Sequence, residues 1–388
     1  MRRRDAGYLL LALPWLSVRA DASEPLRIGV SLGLTGQYRV PSEMHRRAYE
    51  LWRDDVNAKG GLLGRPVEIT IADDGSDAIQ AAAIYREFVA GNATGHVFGP
   101  YSSELTSVVA PIVDAAGFPM LAPGASADEL WRRGYRNLFA MLTPASRYTQ
   151  GMLRLASEAG LSSIAVLAAD DAFSTEIANG TIRWASYLRL KPVLQLRFPA
   201  AATDLKNEMQ KARDVDADLV IIGGHRDEAI AARRAAAAIG WRPRNFFATI
   251  GPALPEWGVE LGESADGAFS TSIWEPTESL GYPGARAFAE AFRHRFGVEP
   301  SYHAATAYAA GQILAAAAET AGSLARDAIR DTLHGLDTYS ILGRFAVDHT
   351  GMQVKRIEMI IQWQQGKKEI VWPVEIRTAP PNIVGGRT

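Results

Sequence analysis

The sequence predicts an α/β protein made of two lobes, each around a parallel central sheet. Three observations carry that expectation. At 388 residues the chain exceeds one ordinary core and suits two. Short β-rich runs alternate with amphipathic helical patterns, which implies parallel strands joined by right-handed crossovers. The alternation stops around NLFAMLTPAS and begins again at SIAVLAA, as a second set.

The first set runs LRIGVSL, EMHRRAYELWRDDVNA, VEITIA, DAIQAAAIYREFVAG and HVFG. In its first helix Met44, Ala48, Leu51, Trp52 and Val56 recur at helical spacing, so one face is buried. Residues 139–146 read as the first crossing between lobes. The second set runs SIAVLAA, a helix over 173–190, VLQLRF, a helix over 205–212, ADLVIIGG, a helix over 228–239 and NFFAT. The strand GAFSTSIW leads, through a crossing at 269–275, to helices at 284–296 and 302–321, assigned back to the first lobe. The segment QVKRIEMIIQWQQGKKEIVWPVEI alternates as a hairpin turning at Gln-Gly. Residues 376–388 read as a loose end. The expected division is 1–22 as a signal peptide, 23–143 with 276–345 as the first lobe, and 144–275 with 346–375 as the second.

The signal-peptide reading rests on three arginines, a short apolar run at 8–16 and small residues at Ala20 and Ala22. The chain has no cysteine, which excludes disulfides, thiol chemistry and a lipid on an N-terminal cysteine. A net charge of −2 offers no general attraction for nucleic acid or anionic membranes. Release into a periplasm as a soluble monomer is expected.

The order and spacing of IGVSLGLTGQY, VNAKGGLLGRPVEITIADDGSD, FGPYSSELTSVVAPIVDAAGFPMLAPGAS, ADLVIIGG, GESADGAFSTS and FGVEPSYHAATAYAAGQIL resemble the leucine-isoleucine-valine-binding protein family, over residues 26 to about 373. These are type I periplasmic binding proteins that deliver solutes to ABC importers. The resemblance implies two doubly wound lobes joined by three hinge crossings, closing over a small ligand, with the permease subunits of an ABC transporter as partners and no cofactor.

It also implies a site. A ligand carboxylate falls to Ser102 and Ser103 in GPYSS and to Gly124, Ala125 and Ser126 in APGAS, and an aromatic ring at the cleft mouth to Tyr38. The physical reason stands without the resemblance: each segment is expected to start a helix at a strand's carboxyl end, where free N–H groups and the helix dipole favour an anion. Helix capping is the competing role for these serines. In the second lobe the family's two ligand-contacting tyrosines fall on Phe173 and His225, and the acid that pairs with a ligand ammonium falls on Ile250. Ile250 leaves such an ammonium unpaired, which costs several kcal/mol, unless Asp170, Asp171 or Glu275 replaces the charge. Phe173, Tyr38, Tyr101 and Trp274 are expected to frame a flat or apolar body, so an aromatic or aliphatic carboxylate suits the site at least as well as an amino acid.

Enzymatic patterns are absent. Neither serine site has Gly-x-Ser-x-Gly. The histidines at 45, 96, 225, 294, 303, 334 and 349 show no metal-binding spacing, and His294 and His303 read as helix-surface residues. GLTGQY and KGGLLGRP lack a phosphate-loop ending, and Asp73, Asp74 and Asp77 lack a calcium loop and read as loop caps. No catalytic or metal-ligating residue is assigned. The alternative of another functional class is a periplasmic sensor of the same fold that signals to a regulatory partner.

Overall fold

The structure is a computed structural model that describes residues 24–91, 94–356 and 358–385. The expected signal peptide lies outside the described residues.

The first sheet is built from β1 (Leu26–Leu32), β2 (Val67–Asp73), β3 (His96–Phe98), β4 (Met120–Ala122) and β5 (Leu138–Ala140), all parallel, in the order β2-β1-β3-β4-β5. Between these strands run α1 (Arg39–Ala58), α2 (Ala78–Ala90), α3 (Ser103–Ala115) and the single turn α4 (Glu129–Arg132). The second unit opens with α5 (Gln150–Glu158). It then sets β6 (Ser163–Ala169), β7 (Lys191–Phe198), β8 (Leu219–Gly223), β9 (Phe246–Ala248) and β10 (Ala268–Ser272) around α6 (Ala172–Tyr187), α7 (Lys206–Asp214), α8 (Arg226–Ala238) and α9 (Glu256–Leu261). Its parallel strands lie in the order β7-β6-β8-β9-β10. Numbered within its own lobe, each sheet reads 2-1-3-4-5, the doubly wound order with its switch point between local strands 1 and 3.

The chain then returns to the first lobe through α10 (Ala285–Phe296), α11 (Tyr302–Ala321) and α12 (Arg326–Gly335), followed by the small hairpin β11 (Thr338–Ser340) and β12 (Gly343–Phe345). α11 lies along α1. The contact is close: a Cβ on Gly311 would sit 2.2 Å from the Trp52 ring, so only glycine lets the helices approach this far. Lastly β13 (Met359–Gln364) and β14 (Lys367–Trp372) add antiparallel strands beside β10. Gln365 and Gly366 turn between them with φ of 52° and 75°, the left-handed pair of a tight hairpin.

The chain thus passes between the two sheets three times, after β5, after β10 and after β12. Phe139 and Ala140, expected in the first crossing, complete the first sheet as its fifth strand, and residues 269–272 belong to β10. The expected loose end is docked: Gln362 and Asn382 exchange hydrogen bonds of 2.9 and 2.8 Å, and Asn245 does the same with Val384 at 2.9 and 3.1 Å. Two buried amides need partners there, and the tail's backbone supplies them. The aspartates of IADDGSD act as caps, Asp77 accepting from the N–H groups of Ile79 and Gln80 at the start of α2 and Asp73 from those of Leu34, Thr35 and Gly75.

Candidate functional site

The carboxyl ends of local strands 1, 3 and 4 of both sheets face one enclosed site. In the first lobe these ends carry Tyr38, then Tyr101 and Ser103, then Gly124 and Ser126. In the second they carry Phe173, His225 and Ile250. Tyr101, Ser103, Gly124, Ser126, Phe173, His225 and Ile250 line a common cavity with Leu142, Tyr148, Tyr302 and His303. Its volume is about 10 Å³, room for about one water.

Ser102 takes the capping role: its hydroxyl accepts from Leu105 N at 3.2 Å, opening α3. Its φ of 91° is unusual for a side-chain-bearing residue and marks backbone strain at the site. A bridge between Tyr101 and Gly124 carries the β3–β4 pairing past the strand ends, with Ser102 N donating to Gly124 O at 3.1 Å. A Cβ on Gly124 would lie 2.8 Å from Tyr101 Cα, so glycine is required there. Ser103 Oγ accepts from Ser126 N at 3.1 Å and Ala127 N at 3.0 Å, tying the two turns together.

This corrects one expectation. Only the GPYSS segment starts a full helix. After APGAS the chain stays irregular until the one-turn α4, and two of its N–H groups already serve Ser103. The first lobe therefore presents hydroxyls and one helix start, not two. Ala125 is buried behind the turn and does not line the cavity.

A ring cluster fills the centre. His225 lies 5.1 Å from Tyr38, 5.2 Å from Phe173 and 6.2 Å from Tyr101 between ring centroids. Tyr101 also meets His303 at 5.4 Å and His45 at 5.6 Å, and its hydroxyl is 3.3 Å from His303 Nε2. Tyr38, expected at the mouth, is 2 % exposed and donates to Glu104 at 3.2 Å. Burial pushes the Tyr101, Tyr148 and Tyr302 phenols well up, so all three stay neutral donors. Burial also holds His45 down to about 3 and His303 well below the usual imidazole range, so both are neutral.

Trp274 does not join the cluster. The chain has entered the second crossing there, and the indole packs edge-on against Phe288 of α10, 5.6 Å away. His303, expected on a helix surface, is 2 % exposed and lines the cavity. Sequence reasoning missed His303, Tyr302, Tyr148 and Leu142. The signal available was α11's near-uniform apolarity, which marks a helix buried all round. The acids that could replace a charge at Ile250 are engaged elsewhere. Asp171 caps α6 at Ser174, Asp170 lies at the surface with Arg197, and Glu275 pairs with Lys368 at 2.8 Å.

Two doubly wound lobes that close over one small site at their switch points define a two-lobed solute-binding protein of type I topology. Residues 25–368 match the family model for periplasmic binding proteins, and the chain belongs to that family. It is 24% identical to a Leu/Ile/Val-binding protein homolog of Brucella melitensis, over 92% of this chain and 94% of that one. Among solved structures it is similar to the branched-chain amino acid transporter substrate-binding protein of Streptococcus pneumoniae in complex with isoleucine, with a TM-score of 0.82 and 23% identity over 90% of this chain and 100% of the other. It is also similar to an ABC-transporter solute-binding protein of R. palustris in complex with benzoate, with a TM-score of 0.79 and 18% identity over 94% of this chain and 100% of the other.

Proposed function

We propose that this binding protein captures a small carboxylate that lacks an α-amino group and delivers it to an ABC transporter permease, without catalysing a reaction. The observation that carries the reading is Ile250. It is 3 % exposed in the cavity wall, and no lining residue is an acid. A buried ammonium left there would lack a counter-charge, a cost of several kcal/mol. The carboxylate falls to Ser103, at the start of α3 where the helix dipole favours an anion, and to Ser126 on the turn beside it. Tyr101 and Phe173 supply the apolar body's contacts.

The lobes, 23–143 with 276–345 and 144–275 with 346–375, rotate about the three crossings as the ligand is enclosed. The family supports export to the periplasm and work as a monomer beside a permease. Calorimetry with leucine and its deaminated analogue isocaproate tests the ligand reading. Isocaproate is expected to bind and leucine to bind more weakly; tight leucine binding with none of isocaproate would overturn it. Small-angle scattering is expected to show compaction under saturating ligand.

A further inference from the structure

The cavity wall carries more polar capacity than a carboxylate uses. The Nδ1 atoms of His45, His225 and His303 are buried and have no hydrogen-bond partner among the described residues. His225 and His303 line the cavity, one from each lobe, and His45 stands behind Tyr101. A neutral imidazole has one donor and one acceptor nitrogen. Leaving one of them buried and unpaired is unfavourable, so a ligand that satisfies it gains on one that does not.

The shape of the space adds a second constraint. His225 is a flat ring enclosed by the rings of Tyr38, Phe173 and Tyr101, and His303 stacks on Tyr302 with centroids 3.9 Å apart at 28°. His225 belongs to the second lobe, and the space around it is lined by rings from both lobes.

We propose that the ligand is a flat aromatic carboxylate bearing a second, neutral hydrogen-bonding group such as a ring hydroxyl, and that His303 and His225 are the partners of that group. This rests on the reading of a carboxylate ligand given above. His303 is the fixed partner, already placed by Tyr101, and His225 closes onto the ligand from the opposite lobe.

The test compares benzoate, para-fluorobenzoate, and meta- and para-hydroxybenzoate by calorimetry, with leucine as the reference. On the wild type at least one hydroxybenzoate is expected to bind about tenfold tighter than benzoate and the fluoro isostere, the scale of one hydrogen bond. In His303→Phe and His225→Phe the ratio of hydroxybenzoate to benzoate affinity is expected to fall toward one. Equal binding of all four carboxylates overturns this inference and leaves the carboxylate reading standing. A hydroxyl preference that survives both substitutions overturns the assignment to the histidines. Leucine binding with none of the carboxylates overturns both readings together. If His303→Phe fails to fold, the wild-type comparison and His225→Phe decide.

Discussion

The two lobes use the same strand order and place their site residues after the same three local strands, yet they equip those positions differently. In the first lobe a hydroxyl on the local third turn, Ser103, reaches the fourth turn at Ser126 and Ala127. In the second lobe the hydroxyl sits on the fourth turn, at Thr249, and reaches back to Gly224, accepting from its N–H at 3.0 Å and donating to its carbonyl at 2.6 Å. Both struts hold a switch point rigid. Ser103 only accepts, so its own proton remains for a ligand, whereas Thr249 spends its proton on Gly224 and does not line the cavity. One topology thus yields a polar jaw and an apolar one, and the difference lies in which turn carries the hydroxyl. The lobes also differ in buried charge. The first buries neutral histidines, His45, His96 and His303, while the second and its junction bury ions paired as Asp218–Arg244 and Glu275–Lys368.

That contrast can be broken most forcefully at the ion pair. Lys368→Met leaves Glu275 buried without its partner and is expected to lower stability by about 3–5 kcal/mol, read by denaturant unfolding; a loss below about 1 kcal/mol would show that the pair does not matter. Next, Ile250→Glu gives the apolar jaw a charge. It is expected to weaken isocaproate by about a hundredfold or more, near 3 kcal/mol, and to improve leucine relative to it, with calorimetry as the measure. Ser103→Ala removes the strut and strands two buried N–H groups, so a stability loss of about 1–3 kcal/mol is expected together with weaker carboxylate binding. A variant that loses affinity at unchanged stability would make Ser103 a ligand group only.

The last effect is read as a slope with pH. The folded pKa of His45, about 3, lies below its unfolded 6.5. The unfolded chain therefore takes up the proton first, and stability fully present above pH 6.5 is lost as the pH falls toward 3. His45→Phe is expected to make that decline shallower by about 1.4 kcal/mol per pH unit, seen in unfolding curves between pH 4 and 6. An unchanged slope would place His45 in water.

The two lobes, the hairpin and most strand ends were legible in the sequence because alternation and turn chemistry are local signals. Ser102 as cap, and Ser103 and Ser126 beside it, could be placed because serine at a strand-to-helix turn has few roles. The site's other half was harder to read. Trp274 stands on the second crossing and turns away to Phe288, while His303 stands on α11, which returns to the site from distant sequence, and no local pattern tells which side of a buried helix faces a cleft. The short α4 was also hidden, since the strut to Ser103, a tertiary contact, holds its preceding turn irregular.

The three passages between the sheets have a consequence in time. The face of α1 that receives α11 waits for Gly311 to arrive against Trp52, and the second sheet waits for its last hairpin. Neither half can finish from its own first stretch, so a chain emerging residue by residue reaches both compact states only near its end. Long-range closure of this kind is slow.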